Sequence, residues 1–230
     1  MSDRPVGSPV DTTPRMPPAR AALRGEYCVL EPLHRRHAVE LWQAAAAGTA
    51  AGDESWTYLG YGPFADEAAM ARHVETFCVQ LDHVAWAIRP VSTGKVSGWL
   101  TLMDIQPINA AIEIGNIWFG PRMQRTRAAT EAIFLALRLA MDDLGYRRMV
   151  WKCNALNAPS RRAAERLGFT YEGMLRAHMV SKGRRRDTTY YSILDDEWPS
   201  RRDALATWLD AANFAPDGTA LRGLAEIRGD

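Results

Sequence analysis

This sequence of 230 residues has few cysteines, no long apolar run and almost no net charge. Its three cysteines have no metal-type spacing, which argues against a disulfide framework and predicts free thiols. No apolar run approaches the roughly 18 residues of a membrane helix, and the first residues lack the apolar centre of an export signal. We therefore predict a cytoplasmic protein with no membrane partner.

The near balance of 28 basic and 27 acidic residues does not indicate a nucleic-acid partner. A local exception is the run Arg184–Arg186, which could contact nucleic acid but is more typical of a solvated hairpin tip. The histidines show no metal-like spacing, so we expect no metal site. Four of them are expected at the surface, namely His34, His37, His73 and His83.

Proline and hydrophobic patterning divide the chain into three parts. Repeated prolines predict a disordered tail over residues 1–22. Ordinary hydrophobic content, 47%, predicts a folded domain over residues 23–200. Residues 201–230 should form a C-terminal helix followed by a tail that is mobile beyond Pro216.

Hydrophobic periodicity predicts how helices and strands alternate along the domain. The predicted helices cover residues 34–47, 66–81, 128–144, 160–167 and 201–212. The predicted strands cover residues 26–30, 84–89, 95–104, 111–119, 148–153, 169–180 and 187–194, with a loop over 49–64. The unit spanning 112–153 should give a parallel strand pair through a crossover helix, while the other pairs are antiparallel. We predict an α+β fold (α/β/α) whose mixed, mostly antiparallel central sheet is flanked by helices.

The segment Gly120–Ala129 leads directly from a predicted strand into a long amphipathic helix. The first amides of a helix lack partners within the helix, and they carry the positive end of its dipole. Such a junction binds anions, most often phosphate. We therefore predict a phosphate-bearing ligand at this position.

Three segments occur in an informative order. They are Gln124–Ala132; Asn157–Ser160 with Glu165–Phe169; and Lys182–Asp187 with Tyr191-Ser192 and Glu197-Trp198. Together they resemble the GNAT acyltransferase superfamily, in particular its RimJ/RimL-type N-acetyltransferases. The resemblance covers about residues 24–198 and includes that family's phosphate loop, its Asn-x-x-Ser helix and its last hairpin.

The resemblance implies a GNAT-like fold and transfer of an acyl group from acetyl-CoA, or another acyl-CoA, directly to a primary amine. The acceptor would be a small molecule or a protein N-terminus. We favour the small molecule because no extended acidic groove for a basic peptide can be read. The acyl group, acetyl or a larger one such as succinyl, stays open. The implied coenzyme-binding residues are Ile117, Trp118, Phe119, Gln124, Arg125, Thr126, Arg127, Ala128, Ala129, Thr130, Asn157 and Ser160.

The phosphate loop departs from the family at Arg125 and Arg127, where glycine is usual. Glycine permits a positive φ and a close approach of phosphate. Two arginines lose that freedom but add cationic donors suited to phosphate. We predict that the backbone amides of residues 125–130 still face the diphosphate.

Two side chains are candidate catalytic residues. Glu113 lies between isoleucines on a strand, where burial would raise its pKa and suit a general base for an ammonium group. The alternative is a carboxylate that faces solvent or pairs with a neighbouring arginine. Ser160 would donate a proton to the coenzyme thiolate, as the resemblance implies, or simply cap a helix. Asn157 would orient the pantetheine arm or a water, or form a loop turn.

The acceptor site is assigned to residues near an aromatic loop. Trp56 and Tyr58 would form a substrate wall, or else close the core. His178 would act as a base or contact the substrate, although a lone histidine is more often structural. Cys153 has no obvious base partner, so a covalent enzyme intermediate is not expected.

Two other functions stay open. A non-catalytic acyl-CoA-binding or regulatory module on the same fold is the main alternative, and the loop arginines favour it. An RNA- or ribosome-associated protein that uses Arg184–Arg186 is the weaker one. Exposed strand edges would also allow a homodimer.

Overall fold

The computed structural model describes residues 4–46 and 48–229. Within them the strands are β1 Leu23–Arg24, β2 Cys28–Pro32, β3 His83–Pro90, β4 Gly98–Gln106, β5 Ala111–Phe119, β6 Arg148–Asn154, β7 Thr170–Ser181 and β8 Arg184–Leu194. The α-helices are α1 Ala38–Ala45, α2 Ala50–Glu54, α3 Glu67–Phe77, α4 Arg127–Arg138, α5 Ala158–Leu167, α6 Trp198–Leu209 and α7 Leu224–Arg228. None of these helices is both long and apolar enough to cross a membrane.

The strands form one sheet in the order β1-β2-β3-β4-β5-β6-β8-β7. Strands β5 and β6 run parallel, and every other neighbouring pair is antiparallel. The predicted α+β class, the β3–β4–β5 meander and the parallel pair are therefore confirmed. They follow from turn-forming residues between β3, β4 and β5 and from a crossover helix between β5 and β6.

The two faces of the sheet carry separate hydrophobic cores because successive side chains alternate along each strand. Trp86 and Ile88 of β3 face a core that includes buried residues of α4, α5 and α6. Ala85 and Trp99 face the other core, which contains residues of α1 and α3. We call this second side the α1–α3 face.

Helix ends follow local capping chemistry. The Asp66 carboxylate accepts a hydrogen bond from the amide of Ala69 at 2.7 Å and begins α3, as predicted. Helix α5 begins at Ala158 because the side chain of Asn157 accepts the amide of Ser160 at 3.1 Å. The prediction that Ser160 starts this helix, or caps it, is wrong. Gly168 ends it with φ of 95°.

Other boundaries also differ from the prediction. The loop expected over 49–64 contains α2, which the side chain of Thr49 caps. Helix α4 ends at Arg138, and a π-helical turn continues to Asp143. Helix α6 begins at Trp198, three residues before the predicted start. Leu224, in the tail beyond residue 216, is buried in α7.

Part of the segment before β1 contacts the sheet. Arg20 donates hydrogen bonds to the carbonyls of Gln80 and His83, and the indole of Trp86 donates to the carbonyl of Ala21 at 2.7 Å. The division of the chain at residues 22 and 200 stays a prediction.

The expected surface position is wrong for three histidines. His37 and His83 are buried. His73 is half-buried between the rings of Tyr61 and Phe64, at centroid distances of 4.4 and 4.9 Å. Burial lowers the pKa of His73 to about 4, so the folded protein holds this imidazole neutral.

We predict that His73 contributes to unfolding in acid. Its folded pKa of about 4 lies below the ordinary 6.5, so the unfolded state binds the proton first and stability falls as the pH drops through this window. Between pH 7 and pH 5 the free energy of unfolding should fall by about 1 kcal/mol less in His73→Phe than in the wild type, with solvent screening taken into account. Urea unfolding at both pH values measures it. The matched control is exposed His178→Phe, and equal pH dependence in both variants would contradict the prediction.

Candidate active site

Strands β5 and β6 part after a short parallel ladder. Their register pairs Ala111 with Arg148, Ile112 with Met149 and Glu113 with Val150, and it continues no further in the part of the chain that the structure describes. Beyond Glu113, β5 presents an edge that β6 does not cover. Buried peptide groups require partners, so this wedge-shaped opening, called the fork below, is suited to an extended polar ligand.

A bulge in β5 lies at the fork. The register with β4 shifts between the pairs Trp99–Trp118 and Thr101–Gly115, and Asn116 takes φ of 47°. A Cβ on Gly115 would lie 2.8 Å from the Met103 sulfur and 3.0 Å from a Glu113 carboxylate oxygen. Glycine therefore keeps the space beside Glu113 open.

The first turn of α4 offers unpaired amides. The hydroxyl of Thr126 accepts the amide of Ala129 at 3.1 Å and caps the helix. No described residue accepts a hydrogen bond from the amides of Arg127 or Ala128. The side chains of Ala128 and Ala129 are buried in the core, so they leave only backbone donors for a ligand. These donors and the helix dipole suit an anion.

The two loop arginines have different roles. Arg125 is exposed and takes φ of 64°, the left-handed conformation that favours glycine. The guanidinium of Arg127 lies 3.7 Å from the ring centroid of Tyr27 and 3.8 Å from that of Phe214, and it donates to the carbonyl of Leu209. The prediction that both arginines supply cationic donors for phosphate is therefore wrong for Arg127, whose guanidinium makes these contacts within the protein.

The other predicted loop residues make internal contacts. The side-chain amide of Gln124 donates to the carbonyl of Phe119 at 3.1 Å. Thr130 is buried, and its hydroxyl accepts a hydrogen bond from Arg166 at 3.3 Å. Their side chains fix the junction of β5 with α4.

Glu113 lies at the closed end of the fork and is 6% exposed. Its Oε2 is 2.8 Å from the Lys152 Nζ, which is also 2.8 Å from the Asp104 Oδ2. Burial raises the pKa of Glu113, and the hydrogen bond from Lys152 opposes that rise. Burial lowers the pKa of Lys152, but the two carboxylates outweigh it and raise the pKa above its usual range. Glu113 is thus in an ion pair, but its partner is a lysine and not the neighbouring arginine of the alternative.

Ser160 lies in the first turn of α5, beside the end of β6. Its hydroxyl oxygen accepts the indole N–H of Trp151 at 3.0 Å. No described residue accepts the hydroxyl hydrogen, so Ser160 can still donate it.

The predicted acceptor residues do not all reach a cleft. Trp56 is buried and stacks on Trp118 at a centroid distance of 4.4 Å, so it closes the core and does not form a substrate wall. The Tyr58 hydroxyl donates to the carbonyl of Leu156 at 3.0 Å. His178 is exposed, and its ring centroid lies 6.0 Å from that of Tyr190.

Several residues around the fork were missed. Lys152 is the charged side chain among the apolar residues 149–153 of β6, a signal that was available in the sequence. Lys182, at the tip of the β7–β8 hairpin, donates to the carbonyl of Trp56 at 2.9 Å, a contact that no local pattern indicates.

Residues 28–170 match the family model of the acetyltransferase (GNAT) domain. The chain belongs to the GNAT acetyltransferase family. Reactions of this family transfer an acyl group from an acyl-CoA, which fits the free amides at the start of α4. The predicted GNAT resemblance is confirmed.

Three known proteins are similar to the chain, and the first of them supports the assignment to the GNAT family. A GCN5-related N-acetyltransferase structure from Brucella melitensis is 42% identical, with 95% of this chain and 98% of that chain covered and a TM-score of 0.91. YdaF of Bacillus subtilis, provisionally named a ribosomal N-acetyltransferase, is 28% identical over 109 residues, which are 47% of this chain and 59% of YdaF. RimL, a ribosomal alpha-N-protein acetyltransferase, shares the fold at 20% identity and a TM-score of 0.62, over 74% of this chain and 91% of RimL.

We predict that Arg125→Gly stabilises the protein. A side chain in the left-handed conformation costs about 1 kcal/mol, partly offset by the flexibility of glycine when unfolded. The unfolding temperature should rise by about 1–3 °C. Neighbouring Gln124→Gly, whose φ is not positive, is the control and should lower it. Destabilisation by Arg125→Gly equal to that of the control would contradict the prediction.

Proposed function

We propose that this protein is an acyl-CoA-dependent N-acyltransferase that transfers an acyl group, most simply acetyl, directly to a primary amine. The acceptor is a small molecule or a protein N-terminus. The observation that carries the proposal is the fork, which has a buried carboxylate at its closed end and unpaired helix amides near its mouth. A thioester along the fork would bring its carbonyl towards the amine beside Glu113.

Backbone groups account for most of the proposed coenzyme binding. The amides of Arg127 and Ala128 would bind the diphosphate, helped by the exposed guanidinium of Arg125. The uncovered edge of β5 at Ile117–Phe119 would bind the pantetheine arm and polarise the acyl carbonyl. Asn157 would act indirectly, because its side chain is committed to starting α5.

Glu113 is the proposed general base. The acceptor arrives as an ammonium ion, and Glu113 takes one of its protons so that the neutral nitrogen can attack the thioester carbon. The C–N bond forms, the C–S bond breaks, and the nitrogen releases its second proton to solvent. Lys152 keeps Glu113 ionised until the acceptor arrives, in spite of the burial of this carboxylate.

Ser160 is the proposed acid. Because Trp151 fixes the position of its oxygen, the hydroxyl hydrogen is free to turn towards the leaving sulfur. Donation yields the free thiol, and solvent restores the serine proton. Cys153 is buried, and its sulfur lies 3.1 Å from the hydroxyl of Thr189, so no nucleophilic cysteine is needed.

The names of YdaF and RimL support a protein N-terminus as one of the candidate acceptors. A homodimer also stays a prediction. It is supported by the edge strand β7, on which Val180 is 78% exposed.

Release of free thiol from acetyl-CoA with a panel of primary amines tests the proposal. Turnover with at least one amine is expected. Coenzyme binding without turnover on any amine would favour the non-catalytic module, to which the Glu113–Lys152 ion pair could equally belong.

We predict that Glu113→Gln lowers kcat by about 100-fold or more, because the amide cannot accept the ammonium proton. In the wild type, kcat/KM should fall in acid as Glu113 becomes protonated. Stopped assays across pH 5–9 measure both. The matched control is Asp104→Asn, which keeps Glu113 and should retain most of the activity at pH 8. A loss no larger than that of the control would remove Glu113 as the base.

Lys152→Met should move the acidic limb of the pH profile to higher pH. The variant leaves the Glu113 carboxylate buried without its cation, so its pKa rises further. Activity should recover at alkaline pH if the fold is retained, which circular dichroism checks. An unmoved limb would show that another group sets it.

We predict that acetyl-CoA binds at least about 100-fold more tightly than acetylpantetheine, which lacks the diphosphate that the α4 amides would bind. Isothermal titration calorimetry of the full chain measures both ligands. Equal affinities would contradict the assignment of this anion site.

A further inference from the structure

The sheet face that carries Glu113 continues across β6 onto β8. The register pairs Lys152 with Tyr190 and Asn154 with Thr188. Side chains two residues apart on a strand share a face, so Arg186 and Thr188 lie on the same side as Lys152. Lys152 also lies 5.3 Å from the ring centroid of Tyr190, which confirms that these side chains meet.

Two buried polar atoms on this face have no use in the proposed reaction. Thr188 is 0% exposed, and its hydroxyl oxygen has no hydrogen-bond partner in the described part of the chain. The Arg186 Nε is likewise buried without a partner, and within residues 4–46 and 48–229 its guanidinium makes no ion pair. Buried polar groups are almost always hydrogen-bonded, so an unpaired arginine–threonine pair indicates a ligand that completes it.

The chain segment after α2 is tied to the same region. Lys182, at the tip of the β7–β8 hairpin, donates to the carbonyl of Trp56. Tyr58 donates to the carbonyl of Leu156 in the β6–α5 loop. These two hydrogen bonds carry the segment across the α1–α3 face to the far side of the fork. Thr188 and the Arg186 Nε are themselves buried, so an ionic contact made there is shielded from water and is stronger than on an open surface.

Charge is separated along this face. Glu113 and Asp104 provide an acidic end that suits an ammonium group, and Arg186 provides a basic end. Burial raises the pKa of Glu113, and the positive charge of Arg186 is close enough to oppose part of that rise. A ligand that satisfies both ends carries an amine and an anion in one molecule.

We propose that Arg186 and Thr188 bind a carboxylate on the amine acceptor, so that the acceptor is a zwitterionic amino compound. The guanidinium fork matches a carboxylate, and the threonine hydroxyl donates one further hydrogen bond. This inference rests on the proposed acyltransferase function and narrows its substrate class. The carboxylate belongs either to a free amino acid or to an acidic side chain beside a protein N-terminus.

Matched acceptor pairs test this inference through thiol release from acetyl-CoA. One arm compares free amino acids with their carboxamides, and the other compares peptide amides that carry Asp or Asn as the second residue. In the arm that contains the true acceptor, the carboxylate member should have a kcat/KM at least about 10-fold higher, mainly through KM. The arm that shows this preference identifies the source of the carboxylate.

Variants then assign the preference to these residues. Arg186→Gln should abolish the discrimination. Turnover of the neutral amides at alkaline pH, where Glu113 stays ionised without the Arg186 charge, shows that the variant folds. Thr188→Val should reduce the discrimination by a smaller factor. The matched control is Arg184→Gln, on the exposed part of the same strand, which should leave it unchanged. Calorimetry should give all variants the wild-type affinity for acetyl-CoA.

Each outcome bears on a different statement. Equal turnover of the carboxylate and neutral acceptors of each pair overturns the carboxylate subsite but leaves the proposed acyltransferase function standing. Weakened acetyl-CoA binding by Arg186→Gln assigns this arginine to the coenzyme and also overturns the inference. Coenzyme binding without turnover on any acceptor overturns the proposed function, and the acceptor subsite with it.

Discussion

Strand β5 pairs with β6 over only three residues, and the peptide groups beyond that ladder lack the neighbour that a regular sheet would supply. A strand edge inside a protein needs partners, so this edge is suited to a ligand with its own donors and acceptors. The bulge at Asn116 turns the strand at this point, and Gly115 leaves space beside it. Helix α4, which follows β5, begins with the unpaired amides that are proposed to bind the same ligand.

The charge arrangement at the closed end of the fork follows from the same geometry. Parallel pairing places Glu113 opposite Val150, and alternation then brings Lys152, two residues further, to the same face. Burial raises the pKa of this carboxylate and the lysine opposes that rise, so an ionised Glu113 becomes compatible with its apolar surroundings. Asp104 holds the lysine from the other side, so the ammonium stays between two anions.

Local patterns in the sequence identified most of the fold, because alternation, capping residues and turn residues act over a few positions. Asp66 and Gly168 mark helix ends where the sequence predicts them. Helix α7 was not predicted, because five residues are too few to show the hydrophobic periodicity of a helix. Local patterns could not predict contacts between elements that are distant in the sequence, such as the ion pair of Glu113 with Lys152. The tryptophan at residue 56 reads as a loop aromatic until its stacking partner is known.

The guanidinium of Arg127 joins the start of α4 to the end of the chain. It lies between the rings of Tyr27 and Phe214, a contact of roughly 0.5–2 kcal/mol, and reaches a carbonyl at the end of α6. Both Phe214 and that carbonyl lie outside residues 28–170, the part that matches the family model. A fragment trimmed to those limits would remove the contacts of the arginine with Tyr27, Phe214 and α6, and would loosen the helix turn that is proposed to bind the anion. The contacts that hold the start of α4 therefore include residues as far along the chain as Phe214.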